Sequence, residues 1–315
     1  MRIVFMGTPD FSVPALVSLV DAGHEVLAVV TQPDKPKGRG KEIQMTPVKE
    51  KALEYGLPVY QPVKAREPEF VSLLADMKPD VIVVVAFGQI LPKSILDIPR
   101  YGCVNIHASL LPKYRGASPI QHAVVNGDTE SGITTMMMAE GIDTGDMLDQ
   151  EVIALDGHET GGSLHDKLSE VGGRLILKTL KKLEEGTAVR TPQDNSKACH
   201  VGMIKKSMGD IDWSMDAVSI ERLIRGLNPW PSAYTSWEGK VIKLWEATAL
   251  EKEYEGVCGQ VAEVGRDCLI IKTGKGGLSL KELQLQGKKR MDVGAFLRGY
   301  PVSAGTVLKR LSDEQ

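Results

Sequence analysis

Cysteine, aromatic residues and surplus charge of either sign are all scarce in this chain. Only 4 of its 315 residues are cysteine, Cys103, Cys199, Cys258 and Cys268. No two of them stand in a Cys-x-x-Cys pair. That spacing argues against a zinc ribbon and a thioredoxin-like redox centre, and it reads as reduced thiols of a cytoplasmic protein. Outside His107, the histidines His24, His122, His158, His165 and His200 show no ligand spacing with carboxylates or cysteines, so no metal is expected. Lysine plus arginine number 38 against 41 acidic residues, a net charge of -3, so no field over the whole surface would gather a polyanion. Any nucleic-acid contact must come from local patches. Long hydrophobic runs are missing as well. The longest uncharged stretches, such as Val81 to Pro92, fall short of the roughly 18 apolar residues a membrane helix needs. The N-terminal run Met1 to Gly7 meets Asp10 before it could form a signal-peptide core, so neither membrane insertion nor export is expected.

With 42% hydrophobic and 25% charged residues, the chain has the composition of a globular protein of about two domains. Its first half alternates short β-branched runs with amphipathic segments, the pattern of a parallel sheet covered by helices, so the fold class is α/β and Rossmann-like. Arg2 to Met6 is the expected first strand, Phe11 to Asp21 the first helix with Asp10 or Ser12 as N-cap, and Glu25 to Val30 the second strand. Val81 to Phe87 is apolar throughout and predicts a central buried strand, preceded by a helix over Pro68 to Met77. Gly102 to His107 predicts another strand. Thr134 to Met138 and Met147 to Ile153 suggest an antiparallel extension, and a helix over 162–185 closes a domain of residues 1–186. Residues 187–206 are polar and pattern-poor, as a connector would be. Residues 207–315 then offer a helix over Asp216 to Gly226. Short runs follow at Val241 to Trp245, Val257 to Val264, Cys268 to Thr273 and Leu278 to Leu285, suggesting a small OB-like β-barrel.

Asn105 and His107 lie two apart on a predicted strand and so share a face, at the strand end where open α/β sheets place their ligands. Spacing alone serves two readings equally, a catalytic pair and a pair that only fixes the next loop. Asp143 lies in Gly141-Ile142-Asp143-Thr144-Gly145-Asp146, which by itself reads best as an ordinary Asp/Gly turn. Taken together, Asn, His and Asp supply a donor for a developing oxyanion, a proton shuttle and a carboxylate that holds the imidazole. Such a set suits direct acyl transfer to an amine without a Ser or Cys nucleophile. The turn Gly7-Thr8-Pro9-Asp10 lacks the Gly-x-Gly-x-x-Gly pattern, which leaves a nicotinamide dehydrogenase weakly supported.

The run Asn105-Ile106-His107-Ala108-Ser109-Leu110-Leu111-Pro112-Lys113-Tyr114-Arg115-Gly116, followed by Gly141 to Asp146, resembles the folate-dependent formyltransferases. That resemblance implies a catalytic trio of Asn105, His107 and Asp143. It also implies a site for the donor 10-formyltetrahydrofolate lined by Ser109, Leu110, Leu111 and Pro112, and by the pterin loop Phe87, Gly88, Gln89, Ile90 and Leu91. The segments Phe5 to Phe11, Gln32 to Lys41 and 207–315 are similar to the branch of that family whose acceptor is the α-amino group of methionine on the initiator tRNA. Transfer to a nucleotide-linked amino sugar is the alternative acceptor reading.

In that branch the loop carrying Lys35, Lys37, Arg39 and Lys41 would grip the acceptor end of the tRNA. Read from residues alone, it is either a solvated turn or a phosphate grip. From Gly256 to Arg310, ten basic residues face four acidic ones, a local +6. With Lys205 and Lys206, the cluster Lys288, Lys289 and Arg290 fits a weakly specific phosphate track. By resemblance the protein would act as a monomer. The run Lys197-Ala198-Cys199-His200-Val201-Gly202 departs from the family pattern.

Overall fold

Val81-Ile82-Val83-Val84-Val85 has no polar face to offer water, and it forms a strand buried on both sides. The structure, a computed structural model, describes residues 1–37 and 42–314. In chain order the first part lays down β1 (Arg2–Gly7), α1 (Val13–Asp21), β2 (Glu25–Val30), β3 (Lys35–Lys37), β4 (Glu42–Gln44), α2 (Pro47–Glu54) and β5 (Val59–Tyr60). Next come α3 (Pro68–Met77), β6 (Val81–Val85), α4 (Lys93–Leu96), β7 (Cys103–His107), β8 (Arg115–Gly116) and α5 (Pro119–Val125). After these stand β9 (Glu130–Met137), β10 (Met147–Ala154), α6 (Gly161–Glu184) and β11 (His200–Val201).

The chain makes two compact units. The first comprises Met1–Pro119, Ser131–Ile153 and His165–Val201. Its seven-stranded sheet has the order β10-β9-β7-β6-β1-β2-β5. Strands β1, β2, β5, β6 and β7 run parallel, and β9 joins antiparallel to β7, the extension the pattern suggested. From β1 the chain builds outward to β2 and β5, then returns to place β6 on the other side of β1. This reversal is a topological switch point, and the crevice outside the carboxyl ends of β1 and β6 is where such sheets take ligands. The apolar side chains of β1, β2 and β6 pack with Phe70 and Leu74 of α3.

Two local expectations are corrected. The first helix opens with a 3-10 turn at Asp10–Ser12, and Ser12 stands at the N-cap of α1 without a side-chain cap bond, because its hydroxyl donates to the Val85 carbonyl at 2.7 Å, while the Asp10 carboxylate accepts from the adjacent Phe11 N–H. Strand β6 stops two residues before Phe87, since Ala86 adopts φ 45° and turns the chain out of the sheet.

The second unit comprises Ile120–Glu130, Ala154–Leu164 and Gly202–Gln315. It contributes α7 (Ala217–Gly226), β12 (Ala233–Trp237), β13 (Lys240–Leu250), β14 (Val261–Val264), β15 (Leu269–Lys272), β16 (Gly277–Leu285), β17 (Met291–Asp292) and α8 (Val293–Gly299). Its sheet runs β12-β13-β16-β15-β14, antiparallel throughout. The tail joins the two edges: Ser236 and Lys309 exchange backbone bonds at 2.8 and 2.9 Å, while Val261 N–H reaches Thr306 and Leu308 N–H reaches Gly259. That closure makes the sheet a small barrel around a core that includes Trp213, Ile224, Trp237, Leu244, Leu280 and Phe296. The helix α7 is capped by Asp216, whose carboxylate accepts from the Ser219 N–H at 2.9 Å.

Candidate active site

Strand β7 ends at His107, which is 6% exposed. Its Nε2 lies 2.9 Å from the Tyr114 carbonyl. A carbonyl only accepts, so Nε2 carries a proton and Nδ1 is the nitrogen left for proton exchange. Nδ1 faces Asp143, with Oδ2 at 3.7 Å. That same oxygen accepts the Gly116 N–H at 2.9 Å. Two of these residues hold left-handed backbone, Tyr114 at φ 60° and Asp143 at φ 52°, and both conformations aim polar groups back at the imidazole. Asn105, itself half-buried, pairs in register with Val84 of β6 and sits two residues before His107, on the same face of the strand.

The loop after β6 lies beside β7, so its residues stand at the same sheet edge. Phe87 is buried, and its carbonyl accepts from the Thr8 hydroxyl at 3.0 Å and the Gln32 amide at 3.2 Å, a bridge across the switch point. Gly88 takes φ 81°, and Gln89 turns away to bond the Ala65 N–H and the Pro62 carbonyl. Leu91 is buried, while Ile90 is 77% exposed.

The loop after β7 is fastened by a residue sequence reading passed over. Thr134, fully buried on β9, donates to the Ser109 carbonyl at 2.7 Å and accepts the Leu111 N–H at 3.1 Å. Gln150 donates to both the Leu111 carbonyl and the Thr134 hydroxyl at 2.9 Å. Ser109 bonds the Lys113 carbonyl at 2.6 Å, Leu110 remains half-buried, and the Leu111–Pro112 peptide is cis. A threonine inside an apolar strand was the only signal for this anchor.

Residues 187–206, expected as a connector, contribute β11, which pairs in parallel with β8. Arg115 N–H bonds the Cys199 carbonyl at 2.8 Å, Tyr114 N–H the Cys199 Sγ at 3.1 Å, and Ala117 N–H the Val201 carbonyl at 3.0 Å. A Cβ on Gly116 would stand 2.3 Å from the Val201 oxygen, so only glycine admits this contact.

The basic candidates are distributed over both units. Lys35 is exposed on β3, Lys37 ends that strand, and Arg39 and Lys41 lie outside the described residues. Lys205, Lys206, Lys288 and Lys289 are exposed. Arg290 pairs with Glu282 and covers the Trp245 ring at 4.9 Å, with the Lys243 ammonium 5.7 Å from the same ring. A cavity of about 360 Å³ beside Glu159, Arg222 and Arg225, and another of about 560 Å³ beside Asp216, Leu250 and Lys275, contain no candidate catalytic or folate residue. Among the described residues no group of three or more His, Cys, Asp or Glu is arranged to hold a metal, and no helix is long and apolar enough to cross a membrane.

A mostly parallel sheet with a switch-point crevice, carrying Asn105 and His107 on β7 and with Asp143 facing His107 from a loop, is an α/β ligand-binding class of fold. Residues 1–180 match the formyl transferase family and residues 203–301 match the formyl transferase C-terminal domain, so the chain belongs to the formyl transferases. It is 58% identical over 306 residues to the methionyl-tRNA formyltransferase of Agathobacter rectalis, covering 97% of this chain and 99% of that one. It is 49% identical over 308 residues to that of Clostridioides difficile, covering 98% and 100%. Among solved structures, an N-formyltransferase from Helicobacter canadensis in complex with folinic acid and dTDP-3-aminofucose shares the fold at TM-score 0.68 and 18% identity, covering 89% of this chain and 98% of that one. HypX from Aquifex aeolicus in complex with tetrahydrofolic acid does so at 0.63 and 19%, covering 97% and 50%.

Proposed function

We propose that this protein transfers the formyl group of 10-formyltetrahydrofolate to the α-amino group of methionine on the initiator tRNA. Residues 1–186 carry the chemistry, 187–206 connect, and 207–315 hold the tRNA. The observation that supports the catalytic reading is the approach of His107 Nδ1 to Asp143 Oδ2, 3.7 Å, at the carboxyl end of the strand that also bears Asn105. The free amine attacks the formyl carbon while Asn105 donates a hydrogen bond to the formyl oxygen and offsets its growing charge. His107 accepts the proton released by the amine and passes it to the departing folate nitrogen as the carbon–N10 bond breaks. Asp143 supports the charge that His107 carries in between. Phe87 to Leu91 and Ser109 to Pro112 embrace the folate. Lys35, Lys37, Arg39 and Lys41 grip the acceptor end, and Lys205, Lys206, Lys288, Lys289 and Arg290 follow the phosphates. The enzyme works as a monomer in the cytoplasm, where its product enters translation initiation.

The test follows formyl transfer from 10-formyltetrahydrofolate to initiator methionyl-tRNA, elongator methionyl-tRNA and a nucleotide-linked amino sugar side by side. Formylation of the initiator alone is expected. Formylation of the sugar alone would overturn the tRNA reading while leaving the trio in place.

A further inference from the structure

Asp143 holds left-handed backbone at φ 52°, a conformation that Asp tolerates better than most residues with a side chain. It persists there only when its surroundings fix it. The surroundings here come from Gln193, within the stretch that sequence reading took as a connector. Among Thr191 to Lys197 only Gln193 is turned partly inward; every neighbour in that run is exposed. Its Nε2 donates to the carbonyls of Asp143 and Gly145, each at 2.8 Å. Its Oε1 accepts the Arg115 Nε–H at 2.9 Å.

The orientation of that amide is dictated by its partners. Arg115 can only donate and the two carbonyls can only accept, so a flipped amide would set oxygen against oxygen and nitrogen against guanidinium. Arg115 is itself 4% exposed. A second bond runs to the Asn195 Oδ1 at 2.9 Å, so this guanidinium is held by two side-chain amides of one segment. A Cβ at Gly145 would stand 1.7 Å from the Met137 oxygen, so the loop already presses closely on β9. Arg115 thus fixes the Gln193 amide, which fixes the backbone on both sides of Thr144. That backbone sets where the Asp143 carboxylate stands between the Gly116 N–H and His107.

We infer that Gln193 is a positioning residue for formyl transfer, acting through Asp143. The inference rests on the catalytic role given to Asp143 above. Gln193 makes no bond to His107 or to the folate loops, so its loss should reach the reaction only as a displaced carboxylate. A displacement of about 1 Å near reacting groups is worth about a hundredfold in rate.

The test compares Gln193→Ala, Gln193→Glu, Asp143→Asn and the double variant Gln193→Ala with Asp143→Asn in steady-state formylation. Gln193→Ala should lower kcat by tenfold to a hundredfold with KM for both substrates within twofold. Gln193→Glu keeps the shape but replaces the donor, and should lower kcat at least as far. The double variant should be no slower than Asp143→Asn alone, because the two residues act along one path. Should Gln193→Ala not fold, Gln193→Met, of similar length without donor or acceptor, carries the same expectation. Wild-type kcat in Gln193→Glu, a loss confined to KM, or losses that multiply in the double variant would each overturn the inference. If Asp143→Asn itself left kcat unchanged, the catalytic reading would fail first, and the two failures are distinguishable on that single control.

Discussion

Replacing Thr134 by valine removes one oxygen and keeps the shape, so it isolates what the hydroxyl does for the loop that follows β7. In the folded protein that oxygen serves three partners, donating to Ser109 and accepting from Leu111 and Gln150. Gln150 keeps its bond to the Leu111 carbonyl, so the substitution strands two backbone groups, the Ser109 carbonyl and the Leu111 N–H. Thr134 is fully buried and Leu111 is 3% exposed, so water cannot substitute without opening the strand. Each buried group left unsatisfied costs about 1–3 kcal/mol. Two of them give about 2–6 kcal/mol, a large share of the roughly 5–15 kcal/mol that separates a native domain from its unfolded chain.

The loop need not unfold the domain to relieve that cost. If residues 109–112 instead swing outward to reach water, folate affinity falls by about tenfold for each 1.4 kcal/mol of lost preorganisation. Urea unfolding and titration with a stable folate analogue would therefore be read together. The expected result is a midpoint lowered by about 1–3 M, at an m value of about 2–3 kcal/mol per M, or a folate Kd raised at least tenfold. Thr134→Ser keeps the hydroxyl and should sit near wild type in both. Wild-type values for the valine variant in both measurements, or a serine variant as damaged as the valine one, would refute the anchoring role of this oxygen.

Other consequences follow from single interactions. The Asp216 carboxyl is held below its usual range by the Ser219 hydroxyl and N–H at the start of α7. Its folded pKa lies below the unfolded one, so the cap adds stability above the unfolded value and loses it as pH falls through the folded value. Asp216→Ala should cost about 1 kcal/mol at neutral pH, whereas Asp216→Asn should cost little there and flatten the acid side of a stability profile measured by thermal melting. Burial, with a smaller push from Asp97, drives the Cys103 thiol up to about 12, so a thiol reagent should label exposed Cys199 and Cys258 in the native protein and reach Cys103 only on unfolding, as peptide mapping would show. Lys288→Ala with Lys289→Ala should weaken tRNA binding and reduce the slope of log affinity against log salt by about 1 for each phosphate no longer neutralised. An unchanged slope would take these residues off the RNA.

Legibility in the sequence followed the range of the forces involved. Val81 to Val85 and Cys103 to His107 were readable because a buried parallel strand writes its burial into consecutive residues. Gly23 at φ 77°, two residues beyond the end of the first helix, is the left-handed stop that favours glycine. Strand β5 was not readable, because two residues that gain their place from β2 carry no period of their own. Strand β12 was hidden behind Asn228-Pro229-Trp230-Pro231, whose two prolines break any strand period, although its partner β13 was visible. The site divides in the same way. Asn105 and His107 are set by alternation along one strand, whereas Asp143 meets His107 only through the path of a loop, and taken alone it looked like an Asp/Gly turn. Gln193 and Thr134 were invisible for a further reason: amide and hydroxyl side chains are common in exposed turns and strands, and only their partners distinguish an anchor from a solvated residue.

Those partners also account for where strain is stored. Ala86, Tyr114 and Asp143 adopt φ of 45°, 60° and 52°, and all three lie in the loops that build the candidate site. Each is followed or flanked by bonds that leave it little freedom: the Phe87 carbonyl takes Thr8 and Gln32, Tyr114 is held at its carbonyl by His107 and at its N–H by Cys199, and Asp143 is held by Gly116 and Gln193. Glycine at any of them would relieve about 1–2 kcal/mol of local cost. It would also admit conformations in which the carbonyls and the carboxylate point elsewhere, and the loss of order in the unbound site would then have to be made good when substrate binds. Transition-state stabilisation by fixed dipoles depends on their being in place before charge develops, because turning them during the reaction consumes the energy they would supply. A residue with a side chain in a left-handed position, locked by bonds on both sides, is therefore the stiffer solution. The strain at these three positions is small beside the rate cost of a site that must organise itself at each turnover.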